Sequence, residues 1–232
     1  MESEHDHGPA PAGGTEYAAY LLIDDLLDLQ RPLTPGAHDE LLFIIVHQAY
    51  ELWFKLMLHE LARVDAELRA DRPGGALPRL KRVVAIDRLL LSQLDVLETM
   101  GPEGFLEFRD PLAPASGFQS RQFREIERAS PALWDAFRAG AGLPEGREER
   151  LAWLADLYRD HAEPVRALRH EVCELLVDHD ETVQRWRFHH TLMAAREIGS
   201  RPGTGGSRGV EYLRGTVDKR FYDELWAVRI AL

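Results

Sequence analysis

Apolar residues recur at helical spacing along most of this chain, and short segments rich in glycine and proline separate the helical patterns. These breaking segments fall at 31–37, 71–78, 101–104, 110–117 and 141–146. No segment shows the strict alternation of a half-buried strand. The pattern predicts an all-α fold, with long helices near 38–70, 78–99, 147–178 and 181–199 and shorter ones near 16–29, 103–109, 119–139 and 209–229.

The most apolar of these patterns is HDELLFIIVHQAYELWFKLMLHEL, which begins at His38. Six apolar residues precede His47, and Tyr50, Trp53 and Phe54 follow it within two turns. A surface helix shows one apolar stripe, so this pattern predicts a helix buried on most of its circumference. We therefore expect His47 to lie in a medium of low dielectric constant. Such a medium favours neutral imidazole, which accepts one hydrogen bond and donates another near pH 7.

Composition and charge limit the partners that the chain is expected to have. The 232 residues are 45% hydrophobic and 29% charged, as in globular proteins, and the formal net charge of −11 argues against nucleic acid or anionic membranes as partners. No apolar run reaches about 18 residues and no signal-peptide pattern is present, so we expect a cytoplasmic protein without a membrane span. Residues 1–14 lack periodicity and are expected to form a disordered tail before one helical domain over 15–232.

A second histidine pattern is WRFHH at the residues from Trp186 to His190. Adjacent residues of a helix point about 100° apart, so only one of the two histidines can face the core. His190 follows Trp186 by one turn, whereas His189 has Arg185 and Arg196 among its helical neighbours. We therefore assign His190 to the interior, where it could ligate haem iron. A hydrogen-bonded core histidine is the commoner meaning of such a pattern taken alone.

One arginine stands among aromatic and aliphatic residues, in GFLEFRDPLAPASGFQS from Gly104 onward. Arg109 lies close in sequence to Phe105, Phe108 and Leu112. An arginine in such surroundings is costly unless it meets an anion, and its planar fork matches a carboxylate in two parallel hydrogen bonds. A ligand carboxylate and an internal salt bridge both fit this segment.

The segment RPGTGGSRG, residues 201–209, contains four glycines between two helical patterns. Glycines let backbone amides approach a ligand closely, and the hydroxyl groups add donors. The segment is not a phosphate-binding P-loop, because the Lys-Ser/Thr ending and the preceding strand are absent. A ligand loop and a flexible connector both remain open. Near the N-terminus, Tyr17, Tyr20 and Leu21 share one helical face, which indicates ordinary packing or a contact with another subunit.

Together, these segments resemble the haem-dependent tryptophan 2,3-dioxygenase family. The resemblance covers about 15–128 and 181 to the end, and the matching pieces are YAAYLLIDDLL, HDELLFIIVHQAYELWFKLMLHEL, LETM with FLEFRDPLAPASGFQSRQFR, WRFHH, GTGGSRGVEYLR and ELWAVR, in the family's order. It implies an all-helical bundle around b-type haem, usually a homotetramer. It also implies L-tryptophan and O2 as substrates and N-formylkynurenine as the product.

The resemblance also implies roles for individual residues. The proximal haem ligand would be His190, and the distal histidine that hydrogen-bonds the indole nitrogen would be His47. Arg109 would grip the substrate carboxylate, and Thr204 would contact the amino-acid end. The remaining implied contacts are the apolar walls Phe43, Phe105 and Leu112, the haem-side loop residues Ser116 and Gly117, and Tyr17, Tyr20 and Leu21 contributed by a neighbouring subunit.

Two alternatives stay open at this point. The stretch 129–177 follows the family poorly and looks short, so the chain could be a specialised relative that inserts one oxygen atom into a substituted tryptophan or indole. A haem-binding sensor without turnover is the second alternative. A sensor needs His190 but has no use for Arg109 and Thr204 aimed at an amino acid. The role of His189 is also left open.

Overall fold

The computed structural model describes residues 16–232, and every regular element in that range is a helix, which confirms the predicted all-α class. The tail predicted for residues 1–14 lies outside the described residues. The helices are α1 (Tyr17–Leu21), α2 (Ile23–Leu27), α3 (Glu40–Arg69), α4 (Pro73–Leu97), α5 (Pro102–Leu112), α6 (Arg121–Ala141), α7 (Arg147–Arg159), α8 (Pro164–Ile198), α9 (Val210–Arg214) and α10 (Asp223–Ala227), with 3₁₀ turns at Gly117–Gln119 and Val228–Ala231.

Four long helices form the core of the described chain. α3 packs between α4 and α6, and α8 packs against α4 on the other side. Leucines such as Leu61, Leu80 and Leu176 are fully buried in these contacts, and each contributes about 1.5–3 kcal/mol relative to an exposed side chain. The shorter α5 rests on both α3 and α8. This position brings Arg109 of α5 toward the helices that carry His47 and His190.

The predicted break between residues 178 and 181 is wrong, because α8 passes through this point without interruption. His179 and Asp180 suggest a loop by their polarity, yet both are fully buried. The ring of His179 lies 2.7 Å from Asp87 Oδ2 and 2.9 Å from Ser130 Oγ. Asp180 accepts a hydrogen bond from the backbone N–H of Phe221 at 3.0 Å. Buried polar groups with such partners do not interrupt a helix.

The predicted long helix 147–178 is wrong as a single helix, because α7 ends at Arg159 and α8 begins at Pro164, with the Glu163 side chain capping the new helix.

Two of the shorter predicted helices are also divided in the structure. Leu22 adopts a left-handed conformation with φ 51° and separates α1 from α2 within the predicted helix 16–29. The predicted helix 209–229 is divided into α9 and α10 by the turn at 215–222. Asp180 holds the end of this turn, because its carboxylate also accepts hydrogen bonds from the Tyr222 N–H and the Trp226 indole.

The N-terminal half of α3 is open on one side. Val46, Tyr50 and Phe54 are buried against the core, but His47 is accessible to solvent. The prediction of a helix buried on most of its circumference is therefore wrong for this chain alone, because α4 and α6 cover only one face. α3 is also long and apolar enough to cross a membrane, a property shared by core helices of globular proteins. The exposed apolar side chains of this half are Leu41, Ile45 and Leu52.

Candidate functional site

His190 has a neutral imidazole that lies against an aromatic ring. Its ring is parallel to the indole of Trp186, one turn earlier on α8, with centroids 4.9 Å apart and an interplanar angle of 9°. Burial, together with the nearby imidazole of His47, lowers the pKa of His190 to about 4. No hydrogen bond to either ring nitrogen is found among residues 16–232. A neutral imidazole nitrogen with a free lone pair is the group that ligates haem iron.

His47 is held in one tautomer by its own helix. Its Nδ1 lies 2.7 Å from the backbone carbonyl oxygen of Phe43, and a carbonyl oxygen only accepts hydrogen bonds. The proton of the neutral ring is therefore on Nδ1, and Nε2 is left as an acceptor. Burial lowers the pKa of His47 more than the Phe43 carbonyl and the Glu51 carboxylate raise it. The ring nevertheless lies on the open side of α3, where it is accessible to solvent.

Three phenylalanines form an apolar wall beside His47. The ring of Phe43 lies 4.0 Å from that of His47, 6.0 Å from Phe105 and 5.5 Å from Phe108. Phe105 and Phe108 meet edge to face with centroids 5.4 Å apart. Such pairs fix ring positions beyond what burial alone achieves. Leu112, at the end of α5, is half-buried against the core on the same helix.

Arg109 lies on α5 with its side chain only 16% exposed. Its Nη2 donates a hydrogen bond of 2.6 Å to the backbone carbonyl of Pro202, and its buried Nε has no hydrogen-bond partner within the described range. The carboxylate of Asp110 lies 3.9 Å from Nη1, too far for a hydrogen bond. The internal salt bridge considered for this arginine is therefore weak. The guanidinium retains donors for a carboxylate ligand.

The glycine-rich loop 201–209 lies against the loop that follows α5. Thr204 Oγ1 donates a hydrogen bond of 2.6 Å to the backbone carbonyl of Ala115. A Cβ on Gly205 would stand 2.6 Å from the Cβ of Ser116, so only glycine permits this approach. Ser116 is half-buried and Gly117, which starts the next 3₁₀ turn, is exposed. The fold thus brings Thr204 and Ser116 to the same region as Arg109.

The N-terminal residues do not join this region. Tyr17 and Tyr20 are 76% and 73% exposed, and Leu21 is 42% exposed. Within the described chain, α1 packs against no helix except α2. An exposed aromatic stripe on a helix without a partner is unusual for a monomer.

The sequence of this chain is similar to known enzymes over nearly its whole length. The family profile described as tryptophan 2,3-dioxygenase matches residues 1–130 and 147–232. The chain belongs to the tryptophan 2,3-dioxygenase family. The tryptophan 2,3-dioxygenase of Anaeromyxobacter sp. (strain K) is 41% identical over an alignment of 266 positions, which covers 96% of this chain and 98% of that protein. That of Herpetosiphon aurantiacus is 40% identical over 260 residues, covering 93% and 98%.

The unmatched part of the chain lies inside the stretch 129–177, which is predicted to follow the family poorly and to be short: the family profile leaves out residues 131–146. The alignments with the two relatives span 266 and 260 positions, more than the 232 residues of this chain, which agrees with a chain shorter than its relatives. Residues 131–146 form the second half of α6 and the turn after it. Trp134 and Phe137 of this segment are buried, and the Trp134 indole donates to Glu224 of α10 at 3.2 Å. All candidate site residues lie outside the unmatched segment.

The sequence does not reveal the contribution of two residues near the site, Phe108 and Tyr50. Phe108 is adjacent to Arg109 in sequence, but its full burial against Phe43 depends on how α5 packs on α3. The Tyr50 hydroxyl donates a hydrogen bond of 2.5 Å to the carbonyl of Leu90 on α4. The spacing of Tyr50 from His47, three residues, was the only available signal, and it does not reveal a partner on another helix.

Proposed function

We propose that this chain is a haem-dependent dioxygenase that oxidises the indole ring of L-tryptophan, adding both atoms of O2 across C2–C3 to give N-formylkynurenine. One observation carries the proposal. Two neutral imidazoles, His190 without a hydrogen bond in the described chain and His47 with Nε2 free, lie close together beside the wall of Phe43 and Phe105. The relatives reported above are named tryptophan 2,3-dioxygenase.

The residues present fit a b-type haem. We infer that His190 is its axial ligand, because the ring is neutral and Trp186 supports one of its faces. Haem, when bound, supplies the oxygen chemistry, which no amino-acid side chain provides. The protein contributes the position of the substrate and the exclusion of water.

We infer that His47 binds the indole N–H. Its Nδ1 is engaged by the Phe43 carbonyl, so the acceptor Nε2 is the free nitrogen. A neutral acceptor can orient the N–H and draw the indole against Phe43 and Phe105, with Leu112 completing the apolar wall. Positioning of this kind lowers the entropic part of the barrier. Ser116 and Gly117 would form the haem-side edge of the pocket.

Arg109 and Thr204 would bind the amino-acid end of the substrate. The free donors of the Arg109 guanidinium suit the carboxylate, and the Thr204 oxygen, whose proton goes to Ala115, has lone pairs for the ammonium group. Both residues are held by backbone carbonyls, so their positions are set before substrate binds. Because they lie on different elements from His47, we infer that 15–232 acts as one catalytic domain.

We infer that the active protein is a homo-oligomer, with a tetramer expected. Tyr17, Tyr20 and Leu21 are exposed and make no contact with the region of Arg109 in this protomer. Placed in a neighbouring subunit's pocket, they would bury apolar area and close the site. We further propose that the protein acts in the cytoplasm.

The decisive experiment uses the haem-loaded, reduced protein with L-tryptophan and ¹⁸O2, with mass analysis of the product. Two ¹⁸O atoms in a ring-opened product are expected. Incorporation of one atom would identify a monooxygenase of substituted tryptophans or indoles instead. A haem-loaded protein that leaves L-tryptophan and its ring-substituted analogues unchanged would indicate a sensor.

A further inference from the structure

Three potential metal ligands converge where the end of α4 meets α8, outside the site described above. Nε2 of His189 lies 3.2 Å from Glu98 Oε1 and 4.0 Å from Asp95 Oδ1. The three ligand atoms lie within 4.8 Å of one another. Asp95 and Glu98 are three residues apart and therefore share one face at the end of α4. His189 projects toward them from α8 and is the residue just before His190.

These separations are compatible with coordination of one metal ion. No hydrogen bond joins His189 to either carboxylate in residues 16–232, although an ion pair of this type normally closes to about 2.7–2.9 Å. Zinc binds histidine nitrogen and carboxylate oxygen at about 2.0–2.2 Å, which places tetrahedral ligands about 3.3–3.5 Å apart. The observed 3.2 and 4.0 Å lie on either side of that value. A water molecule would supply the fourth ligand.

The electrostatic surroundings also favour a cation. The carboxyl end of a helix carries a partial negative charge, and Glu98 stands at that end of α4. Nearby Glu197 is only 7% exposed, and its Oε2 has no hydrogen-bond partner within the described part of the chain. Burial raises the pKa of Glu197, Arg196 lowers it, and the carboxylates of Glu98 and Glu103 raise it. Several carboxyl groups thus lie close to one another here, and a bound cation would reduce their mutual repulsion.

One cation of the chain competes for this position. Arg196 Nη1 lies 3.6 Å from Glu98 Oε2, beyond hydrogen-bond distance, and its side chain is 65% exposed. An exposed arginine at this distance gives a weak ion pair and can turn toward solvent. It leaves Glu98 Oε1, the oxygen nearest to His189, free to coordinate.

We propose that Asp95, Glu98 and His189 bind one divalent transition-metal ion of the zinc class. The ion would join the end of α4 to α8. Only residues 98–101 separate α4 from α5, which carries Phe105 and Arg109. The metal would therefore stabilise the connection between the substrate-binding helix and the helix of His190. This inference does not depend on the proposed reaction.

The test uses the full chain with haem bound, so that His190 is occupied, after treatment with a chelator. Zn²⁺ is titrated by calorimetry, and Co²⁺ is added to record the visible ligand-field bands as a difference spectrum against the haem. We expect one site per chain whose affinity falls at least tenfold in His189→Ala and in Asp95→Asn. Asp95 is 70% exposed, so its variant tests the site without risk to folding.

Matched controls separate this site from other histidines. The double variant His5→Ala/His7→Ala removes the N-terminal histidines, and His161→Ala removes an exposed histidine elsewhere. Both should bind Zn²⁺ as the parent does, and Zn²⁺ should raise their Tm but not that of Asp95→Asn. Affinity unchanged in His189→Ala and Asp95→Asn overturns the proposal, as does loss of the site in either control variant. Absence of binding at millimolar Zn²⁺ overturns it as well.

Discussion

The indole Nε1 of Trp186 donates a hydrogen bond of 3.1 Å to the phenolic oxygen of Tyr50. Tyr50 belongs to α3, which carries His47, and Trp186 belongs to α8, where its ring lies flat on His190. The helices of the two histidines of the proposed active site are thus connected through one hydrogen bond between the buried Tyr50 and the partly buried Trp186. Helix packing alone would leave the rotation of the His190 ring less restricted.

Removal of this hydroxyl should cost stability. In Tyr50→Phe the Trp186 N–H loses its acceptor and the Leu90 carbonyl loses its donor, and a buried unsatisfied group costs about 1–3 kcal/mol. We expect the free energy of unfolding in urea to fall by that amount. Tyr212→Phe, at a tyrosine that is 44% exposed, should be nearly neutral. Equal stability of the two variants would contradict the role given to Tyr50.

The assignment of His190 as axial ligand predicts that His190→Ala loses the Soret band of the purified protein. The matched control is His189→Ala, one residue earlier on α8, whose side chain faces Glu98. It should keep the Soret band. Undiminished haem binding in His190→Ala would show that iron is held elsewhere. Circular dichroism checks that both variants remain helical.

The neutral state of the His47 imidazole predicts that substrate binding depends on pH. Its pKa is lowered from 6.5 by burial, so the ring is neutral in more than half of the molecules at pH 6.5 and protonation needs a more acidic pH than in an ordinary histidine. The neutral ring accepts the indole N–H, and the protonated ring cannot. We therefore expect the Kd for L-tryptophan to change little at pH 7–8 and to rise as the pH falls below about 6.5.

A substrate analogue provides the control for this pH dependence. 1-Methyl-L-tryptophan has no indole N–H to donate to Nε2. Its Kd should show a weaker acid dependence than that of L-tryptophan, and His47→Ala should remove most of the difference between the two ligands. A rise in Kd that survives unchanged in His47→Ala would assign the titration to another group.

The proposed binding of the substrate carboxylate by Arg109 predicts that Arg109→Ala weakens the binding of some ligands more than others. Loss of a charge-assisted hydrogen bond costs about 1.5–3 kcal/mol, or roughly 10- to 150-fold in KM for L-tryptophan. Tryptamine lacks the carboxylate, so its Kd should change much less. Arg121→Ala, at an arginine whose side chain is 80% exposed on α6, serves as the charge-matched control. Equal losses for both ligands would indicate a structural role for Arg109.

The exposed side chains of Tyr17 and Tyr20 on α1 are predicted to be needed both for oligomer assembly and for substrate binding. Tyr17→Ala/Tyr20→Ala removes two large side chains that contact no core helix of their own protomer. The variant should therefore fold normally but form smaller assemblies in light scattering and bind L-tryptophan more weakly. The double variant Leu29→Ala/Leu33→Ala removes two other exposed apolar side chains outside the predicted contact. It should have the weaker effect on substrate binding.

Sequence periodicity predicted α3 and α4 approximately but missed the break between α7 and α8 at residues 160–163. It also failed where polar residues are buried in pairs. His179 and Asp180 suggested a break, and only their partners on α4, on α6 and in the turn before α10 explain why α8 continues. Likewise, the apolar run around His47 suggested full burial, whereas the packing of α4 and α6 leaves one face open. Both errors concern contacts between residues distant in sequence.

In the candidate site, too, local features were predictable from the sequence and contacts between distant residues were not. The facing of His190 next to Trp186 followed from helical spacing, which is a local property. The approach of Gly205 to Ser116 joins two loops about ninety residues apart, and no local pattern reveals it. The same holds for the hydrogen bond from Arg109 to Pro202. Glycine enrichment indicated that the loop is special but not what it approaches.

The hydrogen bonds that hold Arg109 and Thr204 have a consequence for selectivity. Both side chains donate to backbone carbonyls, of Pro202 and Ala115, before any ligand arrives. Each carbonyl occupies one donor only, so Arg109 keeps other guanidinium donors and Thr204 keeps its oxygen lone pairs for a ligand. Indole alone has no group that could use either. Only a molecule with both a carboxylate and an ammonium group engages the two loops together, so the pre-set pair acts as a check on the amino-acid half of the substrate.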